Sequence, residues 1–316
     1  MKLVTYESAK LSRLGVVHGD CVVDVPTAYG LIAKGKIADA KLAAAADVLR
    51  KLGRPPGDMI ELLTLGERYR KALGVIVAHA GETHKKTPKG LVIPLRTAKL
   101  RAPIAHPNKI TCIGLNYADH AREGGQEPPA APIFFLKSHN TISGPGDAIK
   151  LPPNSTQVDY EAEFAVVIGG RGTRIPENEA HKYIAGYTVL HDVSARDMQF
   201  GDKQWYRGKS CDTFAPTGPW IVTPDEVPDP NNLRISLTLN GETLQDSNTS
   251  NLIFKVPFLI SYLSQSVTWE VGDLISTGTP PGVGFARKPP VFLKAGDTVS
   301  VTVEGIGTLT NPVVGP

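Results

Sequence analysis

Apolar and polar positions alternate most regularly from Leu233 to Leu239, and the run meets Asn240-Gly241 before Glu242-Thr243-Leu244 resumes it. Successive side chains on a strand face opposite ways, and Asn-Gly suits the two left-handed positions of a tight turn, so this stretch predicts a β-hairpin. Asp297 to Glu304 alternates in the same way. Tyr160 to Ile168 shows a different pattern. There Ala162, Phe164, Val166 and Ile168 share one face, while Ala165 and Val167 follow two acids on the other, which is the signature of a strand covered on both sides. Ile184 to His191 is a second short apolar run, β-branched and aromatic, and predicts another buried strand. Near the start, Leu3 to Tyr6, Arg13 to Val17 and Cys21 to Asp24 read as strands, followed by Ala- and Leu-rich helical stretches from Ala28 to Leu52 and from Asp58 to Ala80. A Pro-punctuated connection from Ile93-Pro94 to His106-Pro107 follows, which places a small α/β domain at residues 1–95 and a larger one at 96–316. From Ile110 onward short strands dominate, with one helix at about Phe254 to Gln265, so the class expected is α+β and β-rich.

The two acids that interrupt the pattern carry the first chemistry. Glu161 and Glu163 are two residues apart on a strand and therefore share a face. A lone Glu-x-Glu is ordinarily a solvated strand end. Here Asp192 closes the other buried run, so a third acid is expected at the same rim. Like charges at the edge of an apolar surface repel and lose hydration, so a lysine, an arginine or a metal ion must offset them. Three oxygen donors with no cysteine or paired histidine nearby suit Mg²⁺ or Mn²⁺ better than zinc.

Composition narrows the classes. The 316 residues carry a formal charge of +3, with a pI of about 8.6, and no stripe of basic residues interleaved with aromatics, which argues against nucleic acid as a partner. A small anionic substrate is compatible with that mild positive balance. The three cysteines, Cys21, Cys112 and Cys211, are widely spaced and odd in number, so neither a disulfide framework nor a Cys-x-x-Cys metal site is expected. No apolar run reaches the roughly 18 residues of a membrane span, and no signal peptide is recognised, so a reducing compartment is expected, with the sequons at Asn154 and Asn248 as chance matches.

Further candidates lie around the acids. His120 and Glu123 are three apart and share a face if a helical turn forms, where a carboxylate would fix the imidazole tautomer and raise its basicity. Gly124-Gly125 and Pro128-Pro129 would end that turn, making it a candidate flap. Lys209 and Lys137 are single lysines suited to anchoring a carboxylate or an enolate, although the plain reading of Lys137 is a solvated side chain. Thr277 to Gly284 is a Gly- and Pro-rich loop whose backbone can approach a ligand closely, but it lacks the lysine and spacing of a P-loop. No Gly-x-Ser-x-Gly or His-Glu-x-x-His occurs, so serine hydrolase and zincin chemistry have no footing.

In this order along the chain, Ile110 to Tyr117 with His120 and Glu123, Asp159 to Glu163, His191 to Gln199, Gly208-Lys209-Ser210 and Thr277 to Gly284 resemble the fumarylacetoacetate hydrolase superfamily, in particular the group around fumarylacetoacetate hydrolase domain-containing protein 2. The resemblance implies a mixed β-roll, usually dimeric, in which Glu161, Glu163 and Asp192 bind Mg²⁺ or Mn²⁺. It also implies that His120 and Glu123 form a dyad that activates water or moves a proton, that Lys209 and Gln199 are active-site residues, and that Thr279 contacts substrate; Lys137 stays a substrate-binding candidate on its residue type alone. One departure is Leu115, where relatives that cleave acylpyruvates carry an arginine.

The expected activity is that of a metal-dependent enzyme acting on small 2-oxo or β-dicarbonyl acids through a metal-held enolate. Hydrolysis of a C–C bond in a fumarylacetoacetate- or acylpyruvate-like diketo acid is the leading expectation. The alternatives are oxaloacetate decarboxylation, enol-oxaloacetate tautomerisation, and lyase action on ureidoglycolate or a sugar acid. A non-catalytic metabolite binder is disfavoured, because it would not need acids, dyad and lysine together. The expected location is cytoplasmic, or the mitochondrial matrix in a eukaryote, and the expected assembly is a homodimer.

Overall fold

The structure is a computed structural model that describes residues 1–34, 39–82, 90–125 and 127–316. The chain opens with β1 (Lys2–Ser8), β2 (Leu11–His18) and β3 (Cys21–Asp24), then α1 (Val25–Lys34), α2 (Ala40–Arg50), α3 (Met59–Thr64) and α4 (Gly66–Glu82). Next come β4 (Val92–Pro94), β5 (Lys99–Arg101), β6 (Ile110–Gly114), α5 (Ala118–Glu123), β7 (Ile133–Lys137), β8 (Ile142–Ser143), β9 (Ile149–Lys150), β10 (Val158–Asp159) and β11 (Ala162–Ile168). The rest runs through β12 (Ile184–His191), β13 (Ser194–Ala195), α6 (Arg196–Gly201), α7 (Tyr206–Lys209), β14 (Ala215–Val222), β15 (Arg234–Leu239), β16 (Glu242–Asn248), α8 (Val256–Ser264), β17 (Leu274–Ser276), β18 (Thr298–Val303) and β19 (Gly307–Val314).

The first three helices start at aspartates. Asp24 Oδ1 accepts from the Thr27 amide at the head of α1, and Asp39 and Asp58 accept from Leu42 and Glu61 at the heads of α2 and α3. The helical stretch expected from Ala28 to Leu52 is divided between α1 and α2, with residues 35–38 outside the described residues. The stretch from Asp58 to Ala80 is divided between α3 and α4 at Gly66, whose φ of +77° a helix interior does not allow.

A 12-stranded mixed sheet runs β4-β3-β2-β1-β14-β12-β11-β17-β6-β7, with β5 beside β1 and β8 beside β14. Strands from both sides of residue 95 share it: Lys2 pairs with Val222 and Leu3 with Ile221. A second sheet, β16-β15-β18-β19-β9, has five strands, and β10 and β13 form a short pair. The turn joining β15 to β16 has Asn240 and Gly241 at φ +53° and +87°, the left-handed pair that the sequence predicts.

The two apolar faces of β11 separate two cores. Phe164, Val166 and Ile168 pack in one with Ile235, Leu237, Val299 and Val301 of the second sheet, while Ala165 and Val167 belong to the other, with Leu49, Leu62, Leu63 and Leu73 of the helices. The main sheet is thus sandwiched between helices and a second sheet, which is why β11 carries no solvent face. Among the described residues no helix is long and apolar enough to cross a membrane.

Candidate active site

The ends of β11 and β12 bring the acids together. Ala162 pairs with His191, and one step further the Asp192 amide donates to the Glu161 carbonyl at 3.0 Å. Glu161 therefore lies just before the strand rather than within it, next to Asp192, while Glu163 stands two residues along on the same face. Glu161, Glu163 and Asp192 are buried, and one carboxylate oxygen from each lies within 4.8 Å of the others.

The partners of these acids are unequal. Lys209 Nζ donates to Glu161 Oε2 and Asp192 Oδ2, both at 2.7 Å, and Arg196 meets the other Glu161 oxygen at 2.6 Å. Burial raises the Glu161 pKa, but Lys209 and Arg196 outweigh it and hold the carboxyl well below its ordinary value. Among the described residues Glu163 is hydrogen-bonded only by the Ser276 hydroxyl and the Gly278 amide, the latter at 2.9 Å. Burial and the neighbouring Asp192 and Glu161 charges push its pKa well up. A buried carboxylate without an ion-pair partner of its own, beside two others that also offer oxygen ligands, fits a hard divalent cation. Glu161, Glu163 and Asp192 would hold it.

Arg196 and Asp159 complete this network and were not singled out from the sequence. The Arg196 guanidinium donates from Nε to Asp159 Oδ2 at 2.8 Å and from Nη1 to Gln199 Oε1 at 3.0 Å. Asp159 in turn accepts from the amides of Gly284 and Phe285 at 2.7 and 3.1 Å. The signal for Asp159 was its spacing, two residues before Glu161 and four before Glu163 on the same alternation.

Lys137 corrects the solvated reading: it is buried, paired with Asp192 Oδ1, and donates to the Val193 carbonyl at 3.0 Å. Burying an ammonium is tolerable because that carboxylate faces it. Lys209 is held as a cation by its two carboxylate partners. Burial lowers its pKa, but Asp192 and Glu161 more than compensate and leave it raised.

His120 and Glu123 lie on α5, with His120 Nδ1 3.1 Å from Glu123 Oε2. Both Glu123 oxygens accept from the Gly282 amide, at 3.0 and 3.1 Å, so this is not a free surface pair. Burial raises the Glu123 pKa, yet His120 and the Gly282 amide bring it below its ordinary value. An ionised Glu123 takes the hydrogen on Nδ1 and leaves Nε2 as the acceptor. The turn is anchored from below, since Asp119 Oδ2 accepts from Ser247 and Asn251 at 2.6 and 3.1 Å.

A cavity of about 210 Å³ joins these groups. His120, Glu161, Glu163, Arg196, Gln199, Lys209 and Thr279 line it, whereas Asp192, Glu123 and Lys137 do not. Thr279 Oγ1 accepts from Gln245 Nε2 at 2.9 Å. The remaining wall is apolar and includes Leu115, Phe135, Trp205 and Phe285. Phe135 and Phe285 lie under the two cations, with Lys209 Nζ 4.9 Å and the Arg196 guanidinium 4.5 Å from the respective ring centres. No periodicity marks Trp205 or Phe285 as wall residues.

Residues 109–314 match the sequence model described as fumarylacetoacetate (FAA) hydrolase C-terminal. The chain is 49% identical over 261 residues to the bovine mitochondrial protein named oxaloacetate tautomerase FAHD2A, covering 82% of the chain and 80% of that relative. It is 45% identical over 271 residues to the Dictyostelium discoideum fumarylacetoacetate hydrolase domain-containing protein 2 homolog, covering 82% and 86%. Among solved structures, the fumarylacetoacetate hydrolase from Exiguobacterium antarcticum is 31% identical with a TM-score of 0.79, and 100% of each chain is covered. Maleylpyruvate hydrolase from Sphingobium sp. SYK-6, in complex with manganese(II) and pyruvate, is 29% identical with a TM-score of 0.71, covering 100% and 99%.

Proposed function

The chain belongs to the fumarylacetoacetate hydrolase superfamily, and from that premise we propose that it is a divalent-metal-dependent tautomerase interconverting the enol and keto forms of a small 2-oxo acid of the oxaloacetate type. The observation that carries this reading is the dyad: His120 Nδ1 is committed to Glu123, which leaves Nε2 in a cavity shared with the acids. Tautomerisation asks only that a proton leave one atom and arrive at another. Cleavage of a C–C bond also needs a placed water, and the bovine relative that shares 49% of its aligned residues with this chain is named a tautomerase, so hydrolysis is the weaker reading.

Glu161, Glu163 and Asp192 would hold a divalent cation, which would supply Lewis-acid polarisation of a 2-oxo acid. His120 Nε2 accepts the proton from carbon 3 of the keto acid, and Glu123 keeps the imidazole oriented and stabilises it as it becomes cationic. The Lys209 ammonium, fixed by Glu161 and Asp192, faces the negative charge that develops on the 2-oxygen. The imidazolium then gives that proton to the 2-oxygen to complete the enol, and in the reverse direction His120 takes the enol hydroxyl proton and delivers it to carbon 3.

The test follows the ultraviolet absorbance of enol-oxaloacetate with Mg²⁺ or Mn²⁺ while pyruvate is assayed in parallel. Decay faster than the buffer rate without pyruvate is expected. Pyruvate formed in step with the decay makes the protein a decarboxylase, and cleavage of an acylpyruvate with no effect on oxaloacetate makes it a hydrolase. The bovine relative is named as mitochondrial, and for a eukaryotic source we place this chain in the matrix, tested by fractionation.

A further inference from the structure

Leu115 holds a backbone conformation that its side chain disfavours. Its φ is +52°, in the left-handed region that glycine and asparagine enter readily and leucine does not. Both neighbours are fixed. A Cβ on Gly114 would lie 2.5 Å from Trp205, so the chain passes directly under that indole. Asn116 is fully buried and donates to the Phe254 and Thr277 carbonyls at 3.1 and 2.8 Å, while accepting from the Phe254 amide at 2.8 Å. With both flanks pinned, the residue between them must take the turn, and strain of this kind persists only where the surroundings impose it.

The strained residue faces the cavity. Leu115 contributes to the apolar wall together with Ile133, Phe135 and Trp205, and the helix carrying His120 begins three residues after it. A side chain whose backbone cannot relax away is a rigid stop. We propose that Leu115 is a specificity-determining residue, an apolar stop that limits how far the carbon chain of a bound 2-oxo acid extends beyond the reacting carbons. Backbone strain is the cost of placing it there. This inference rests on the substrate class proposed above.

Two truncations separate strain from shape. L115A removes the stop and keeps the left-handed strain, whereas L115G removes both, so L115G should melt about 2–4 °C above L115A. Titration calorimetry in the presence of Mn²⁺ then compares 2-oxobutanoate with 2-oxohexanoate. Both truncations should shift the ratio of dissociation constants at least tenfold toward the longer acid, since one methylene in a hydrophobic pocket discriminates by about that factor. Equal ratios in parent and truncations would overturn the stop, and equal melting temperatures for L115A and L115G would overturn the strain. If the parent binds neither acid, the substrate class fails and the inference fails with it. A parent that binds both with the same preference as L115A overturns the inference alone.

Discussion

Replacing Glu163 by glutamine tests whether the acids are a metal site or only an ion-pair network. In the metal-free protein Glu163 is the acid held by a hydroxyl and an amide alone, and glutamine oxygen can accept both of those bonds. What the change removes is the ability to carry a negative charge, which burial and the other two acids already oppose. At the 4.8 Å that bounds the three oxygens, each like-charged neighbour costs about 3 kcal/mol at an effective dielectric of about 20, before Lys209 and Lys137 offset it. Metal-free E163Q should therefore melt at or above the parent. With Mn²⁺ at 100 times its dissociation constant the parent gains about 2.7 kcal/mol, or roughly 5–10 °C, and E163Q should lose nearly all of that gain. Differential scanning fluorimetry with and without Mn²⁺, after EDTA treatment, reads both arms. A variant that melts far below the parent without metal, or that keeps the full Mn²⁺ shift, refutes the reasoning.

Three other perturbations probe separate parts of the structure. K137M leaves one oxygen of a buried carboxylate without its cation and should cost about 3 kcal/mol in urea unfolding, where a solvated lysine would cost less than about 0.5. H120A should lower kcat on enol-oxaloacetate by about 10² to 10⁴ while leaving the Mn²⁺-induced melting shift intact, and a lost shift would mean that His120 supports the metal rather than the proton transfer. Burial pushes the Asp24 carboxyl up, but Arg13, Thr27 and Tyr6 together hold it below its ordinary value. With its folded pKa depressed, Asp24 contributes stability above the unfolded carboxylate pKa of about 3.9 and loses it as pH falls through the folded value, so the parent's advantage over D24N should be full at pH 7 and shrink in acid. A D24N difference that is constant with pH would remove Asp24 from that account.

Much of the fold was legible because it depends on local periodicity. The β15–β16 hairpin, the three N-terminal strands and β12 follow from alternation and turn residues, and the two-faced apolar pattern of β11 announced layers on both sides of the sheet. The acids were legible for the same reason, since strand spacing puts Glu161 and Glu163 on one side. Lys137 was misread because its burial depends on a partner 55 residues away in sequence. A single lysine after an apolar strand looks the same whether it reaches water or a buried aspartate. Arg196 and Asp159 were passed over for a related reason, as each is recognisable only once the other is placed.

The loop after β17 shows why the site behaves as one unit. Backbone amides of Gly278, Gly282, Gly284 and Phe285 donate in turn to Glu163, to Glu123, and twice to Asp159. One short segment therefore fixes a candidate metal ligand, the carboxylate that orients His120, and the anchor of Arg196. Two glycines make the close approach possible: a Cβ on Gly282 would lie 2.1 Å from the Leu244 carbonyl oxygen, and one on Gly284 1.8 Å from that of Val291. The Gly- and Pro-rich composition that in sequence signalled only proximity to a ligand thus has a more specific cause. Its amides are aimed at the protein's own carboxylates, and a shift of the loop would move the cation site, the dyad and the guanidinium together. Substitutions there should lower metal affinity and proton transfer in parallel, whereas H120A should separate them.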